Sequence, residues 1–87
     1  DPAAATDAAA EARDRRDVLE TALQQLSTIN REAILLKDIQ GLALEDMAAM
    51  LDLPVGTVKS RCSRARVELA KTVAGLLGTD PDLGVAP

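Results

Sequence analysis

Phenylalanine, tyrosine, tryptophan and histidine are all missing from the 87 residues. Without histidine there is no Ser-His or Cys-His catalytic pair and no imidazole ligand for a metal. Without aromatic rings there is no platform for stacking bases. The one cysteine, Cys62, can neither close an intrachain disulfide nor build a multi-cysteine zinc site, which fits a reducing, cytoplasmic setting. No apolar run approaches the ~20 residues of a membrane span. The opening Asp1-Pro2, followed by alanines, has neither the basic nor the apolar segment of a signal peptide. An enzyme is therefore not expected, nor a metal, a cofactor or membrane insertion. The chain does not begin with Met and reads as a fragment whose upstream region is absent. What is present, 47% hydrophobic and 28% charged, is an ordinary globular balance sufficient for one small domain.

The net charge of −4 would argue against a nucleic-acid partner if it were spread evenly, and it is not. Residues 1–23 hold six acids (Asp1, Asp7, Glu11, Asp14, Asp17, Glu20) against three bases (Arg13, Arg15, Arg16). Residues 54–71 hold Lys59, Arg61, Arg64, Arg66 and Lys71 against Glu68 alone. At physiological salt, screening confines a charge's field to roughly 8 Å, so the local basic stretch decides what that surface attracts. A solvated helix face is the plain alternative for any such run.

Apolar spacing divides the chain into helices. Residues 1–12, rich in Ala and Asp without a periodic apolar face, read as a disordered linker or a frayed helical extension. Val18, Leu19, Ala22, Leu23 and Leu26 mark a first packed helix over about residues 13–25. Ser27 or Thr28 caps a second, which carries Ile29, Ala33, Ile34, Leu35, Leu36 and Ile39 on nearly every side and ends at Gly41. A helix so apolar either sits at the centre of a bundle or offers a second face to a partner. The third helix is short, with Leu44, Met47, Ala48 and Leu51 on one face, Glu45 and Asp46 in its first turn, and Ala43 as a poor cap. Asp52-Leu53-Pro54 breaks the chain, with Pro54 suited to the first position of the next helix. That fourth helix, about Val55 to Leu76, repeats Val55, Val58, Cys62, Ala65, Leu69, Val73 and Leu76 as its buried stripe. Cys62, Met47 and Met50 are all expected as packing residues. Residues 78–87 read as a flexible C-terminal tail, leaving 13–77 as an all-α, four-helix domain.

A short helix, a tight turn and a longer helix with a basic exposed face outline a helix-turn-helix. On the fourth helix Ser60, Ser63 and Arg64 fall roughly opposite the apolar stripe, with Lys59 beside them. Thr57 and Arg61 occupy one shoulder and Arg66 the other. Small polar and Arg side chains can then reach base edges while the flanking cations meet phosphates. Gly56, Ser60 and Ser63 let the backbone approach a groove closely, and no acid lies between Pro54 and Val67.

The segment Arg31-Glu32-Ala33-Ile34-Leu35-Leu36-Lys37-Asp38-Ile39-Gln40-Gly41-Leu42 is followed by Leu53-Pro54-Val55-Gly56-Thr57-Val58-Lys59-Ser60-Arg61 and Arg64-Ala65-Arg66. Together they resemble region 4 of the extracytoplasmic-function (ECF) sigma factors, over about Leu19 to Leu69. Two positions depart from the family pattern: Ala43 replaces the usual Ser or Thr cap, and Ser63 stands where a larger side chain is common. The resemblance implies a helix-turn-helix core of the sigma-4, winged-helix-like type plus an N-terminal helix. It also implies recognition of the −35 promoter element, docking on the β flap of RNA polymerase core, and control by an anti-sigma factor. In that scheme Lys59, Ser60, Ser63 and Arg64 lie near bases, and Lys37, Thr57, Arg61 and Arg66 near phosphates. Backbone N–H groups at the start of the third helix assist them, and the domain alone is a monomer. Two other readings stay open: the helix-turn-helix output domain of a response regulator, and a helical bundle whose basic face meets an acidic protein.

Overall fold

The computed structural model describes residues 2–79, with side chains described from residue 8 onward. Four helices follow one another: α1 (Pro2–Gln25), α2 (Thr28–Ile34, running directly into a π-helical turn at Leu35–Ile39), α3 (Leu44–Leu51) and α4 (Val55–Leu77). Among the described residues there is no strand, and the fold is all-α as expected. The first helix corrects the expected boundary. It begins at Pro2, so the stretch read as a linker or a frayed extension is continuous with α1. Residues 8–11 are exposed, so packing does not hold this part of α1; alanine's intrinsic preference for helix accounts for it. Residues 80–87, most of the expected tail, lie outside the described residues.

The core is made of small and medium side chains, as a chain without rings requires. Leu23 and Leu26 of α1 and its C-terminal flank, Ala33 and Ile34 of α2, Met47 and Ala48 of α3, and Val58, Cys62 and Ala65 of α4 form one buried cluster. α1, α2 and α3 each pack against α4, and α3 also meets the π-helical turn. Along the expected stripe of α4, Val58, Cys62 and Ala65 are buried and Leu69 and Val73 are half-buried. Val55 and Leu76, at the two ends of the stripe, stay exposed. Cys62 is a buried free thiol and packs as a small hydrophobe. Met47 packs as expected, but Met50 does not: 62% of it is exposed. An apolar groove of about 370 Å³ remains between α1 and the end of α4, lined by Val18, Leu19, Val73 and Leu77 among others.

The connections show how local chemistry sets the angles. The Ser27 hydroxyl accepts from the Asn30 N–H at 3.2 Å, so Ser27, not Thr28, caps α2. Gly41 takes φ 75°, where a side chain would be strained. Leu42 N–H reaches back to the Leu36 carbonyl at 3.0 Å and closes the π-helical turn. Asp52 ends α3 in the left-handed region at φ 55°, a conformation that Asp tolerates better than most residues. Pro54 sits one position earlier than expected: it caps α4 with ψ 146°, and its carbonyl accepts from Thr57 and Val58 N–H. Its ring fixes φ alone, so either position fits the sequence.

Two charged side chains fasten the α1–α2 corner. Arg31 donates through Nε to the Leu23 carbonyl at 3.0 Å, and through Nη2 to the Gln24 and Leu26 carbonyls at 3.2 Å each. It thereby satisfies oxygens that the end of α1 leaves without intrahelical partners. Glu68 of α4 accepts from the Ser27 N–H and from Asn30 Nδ2, binding the same corner to α4. Arg31→Ala is expected to lower stability by about 1–2 kcal/mol in urea unfolding, through loss of these charged hydrogen bonds. Ala43 caps α3 in extended conformation without a side-chain hydrogen bond. Ala43→Ser is expected to raise stability by about 1 kcal/mol in the same measurement.

Candidate nucleic-acid interface

α3, the turn at Asp52–Pro54 and α4 place the basic stretch on the outer side of the helix that completes the core. Val58 is 1% exposed, Cys62 5% and Ala65 0%, whereas Thr57, Lys59, Ser60, Ser63, Arg64 and Arg66 are exposed. Arg61 is half-buried. An open groove of about 530 Å³ is lined by Pro54, Gly56, Thr57, Ser60, Arg61 and Arg64. It lies at the N-terminal end of α4, where first-turn N–H groups and the helix dipole favour an anion. Two guanidinium groups, two hydroxyls and a helix N-terminus so placed suit a phosphate-bearing polymer better than a small ligand. Among the described residues no cluster of three or more acidic or cysteine side chains could hold a metal.

The structure divides the expected site residues into three groups. Thr57, Ser60, Arg61 and Arg64 share the groove. Lys59, Ser63 and Arg66 follow at i, i+4 and i+7 along the other shoulder of α4, a helical repeat that puts them on one line. Lys37 lies apart, half-buried on the π-helical turn.

Arg66 is not a free cation. Its Nε donates to Asp38 Oδ2 at 3.0 Å and its Nη2 to Oδ1 at 2.5 Å, a bidentate pair between α4 and the π-helical turn. The hydrogen bond from Arg66 is the main reason that the Asp38 carboxyl sits below its ordinary value. Slight burial opposes this, and the charges of Arg66 and Lys37 add to it. Sequence reasoning missed Asp38 and Glu68 as organising residues. For Glu68 a signal existed, since it is the only acid in residues 54–71. For Asp38 none did, because a π turn shifts the residues after it by about one position, roughly 100° around the helix axis.

With this geometry in place, comparisons with known proteins converge. The family model "Sigma-70, region 4" matches residues 16–69. The ECF RNA polymerase sigma factor SigM of Mycobacterium tuberculosis is 44% identical over 61 residues, which cover 70% of this chain and 31% of that protein. The RNA polymerase sigma-H factor of Pseudomonas aeruginosa is 44% identical over 55 residues, 63% of this chain and 28% of that one. The ECF RNA polymerase sigma-E factor of Escherichia coli K12 is 39% identical over 62 residues, 71% and 32% respectively. The chain thus spans about a third of the length of these relatives. No solved structure matches it significantly.

The Asp38–Arg66 pair makes stability depend on acid. Because the folded-state value of Asp38 is depressed, the pair's contribution is complete above the unfolded value near 3.8. It disappears as pH falls through the lower folded-state value. In urea unfolding as a function of pH, Asp38→Asn is expected to be less stable than wild type by a constant amount from neutrality down to about pH 4, with the difference shrinking below that.

Proposed function

The chain belongs to the sigma-70 region 4 family, as its ECF-type representative, and on that premise we propose that it reads the −35 element of promoters for RNA polymerase. Region 4 is a DNA-binding transcription-factor module and not an enzyme. Family membership also sets aside the response-regulator alternative. The observation that carries the proposal is the two-sidedness of α4: Val58, Cys62 and Ala65 complete the core while Ser60, Ser63 and Arg64 face solvent.

In the proposed complex α4 lies in the major groove. Arg64 and Lys59 offer cationic donors to guanine edges, and Ser60 and Ser63 offer hydroxyls short enough to keep the helix deep. Thr57 and Arg61 meet the phosphates on one wall, with Lys37 toward the other, where Arg66 stands paired to Asp38. Ile29, Leu35 and Ile39, exposed by 53%, 36% and 56%, supply an apolar surface for the β flap of the polymerase core. An anti-sigma protein would compete for that surface. The setting is the cytoplasm, where the polymerase acts; no helix among the described residues is long and apolar enough to cross a membrane. A handful of phosphate contacts gives an affinity that is modest and salt-sensitive. Function therefore depends on tethering: polymerase and the remainder of the factor raise the local concentration of this monomeric domain at the promoter.

Run-off transcription by core polymerase with the full-length factor tests the reading. Arg64→Ala is expected to lose about 1–3 kcal/mol on the matched −35 sequence and little on a scrambled one. Arg61→Ala is expected to weaken both alike and to reduce the salt slope by about 0.9 per lost phosphate contact. If the basic face served only an acidic protein, neither substitution would change promoter binding.

A further inference from the structure

We infer that Asp38 is a specificity device that keeps sequence-independent DNA affinity low by neutralising Arg66 on the edge of the recognition face. The inference rests on the promoter-reading proposal above and deepens it. Arg66 continues the line of Lys59 and Ser63, so its place on α4 is that of a cation facing one phosphate wall. Yet both its Nε and its Nη2 are spent on Asp38. The partner comes from the π-helical turn, 28 residues earlier. The pair is open to solvent on one side: the Arg66 side chain is 56% exposed and that of Asp38 34%.

A phosphate approaching this shoulder meets an ion pair of zero net charge. Binding there releases no condensed counterion unless the carboxylate is displaced, because counterion release follows the positive charge delivered to the backbone. Lys59, Arg61 and Arg64 have no such partner among the described residues. The domain thus presents unpaired cations where sequence is read, at Lys59 and Arg64, and mutes Arg66 on the shoulder, while Lys71 lies farther along the helix. Muting Arg66 has a use. A cation at the rim adds equally to every DNA sequence, and a promoter-reading domain competes against a vast excess of non-specific sites.

The test uses holoenzyme carrying the full factor, bound to duplexes with a matched or a scrambled −35 element at 50–200 mM salt. Asp38→Asn keeps the shape and some hydrogen bonding but leaves Arg66 with its charge. The expected result is a salt slope steeper by about 0.9, so that the variant's advantage over wild type shrinks about 3.5-fold between 50 and 200 mM. The gain should be equal on both duplexes. Arg66→Ala added to Asp38→Asn should return the slope to the wild-type value, and Asp38→Glu should retain it. An Asp38→Asn slope equal to wild type, or weaker binding at every salt, overturns the inference, because a purely structural pair would do no more than that. Failure of the underlying reading looks different: wild-type holoenzyme would not distinguish the two duplexes, and Arg64→Ala would change neither.

Discussion

One helix has to do two incompatible things, and the structure is organised around that demand. α4 supplies the central side chains of a core that has no aromatic rings to fill it, and it also exposes the residues proposed to read DNA. Each role needs its own side of the cylinder, about half a turn apart. Small residues reconcile them. Cys62 and Ala65 let the other helices approach the backbone closely on one side, and Gly56, Ser60 and Ser63 allow the same for a DNA groove on the other. The first side is buried within 5% exposure along Val58, Cys62 and Ala65. Any substitution that rotated α4 would therefore spoil the fold and the reading surface together.

Charge is arranged to protect that division. Two buttons hold the α1–α2 corner, Arg31 on the end of α1 and Glu68 on the start of α2. Both are charged groups held by neutral backbone or amide dipoles, which fix their positions at the corner while leaving their charges in place. Glu68, the one acid in the basic stretch, is turned toward Ser27 and Asn30 and away from the groove at Thr57, Ser60, Arg61 and Arg64. Arg66 is answered by Asp38. Lys71 apart, what remains unanswered on α4 is concentrated at Lys59, Arg61 and Arg64, toward the N-terminal end, where the helix dipole favours phosphate. A chain of net charge −4 can in this way present a focused cationic surface.

The helix that leads into the π turn shows the same division of labour in apolar form. Ala33 and Ile34 are buried, while Ile29, Leu35 and Ile39 are exposed. Its all-round hydrophobicity does not place it at the centre of the bundle: one face lies in the core and the other is exposed. Exposed apolar area of this kind is costly in water and persists in proteins chiefly where it is covered by association.

The linear chain by itself determined the helical class, the middle of the stripe on α4, the stop at Gly41, and the exposure of Ser60, Ser63 and Arg64. Each of these follows from a 3.6-residue period or a backbone preference acting within a few residues. Folding in three dimensions decided the rest. The start of α1 at Pro2, the π turn at Leu35–Ile39, the exposure of Met50, and the partners of Arg31, Glu68 and Arg66 were not legible in advance. Except for α1, which alanine propensity extended without burial, these depend on how one helix docks on another. Asp38 and Arg66 are 28 residues apart and Ser27 and Glu68 are 41 apart. Whether such side chains meet depends on the angle and register of packed helices, which no local periodicity encodes.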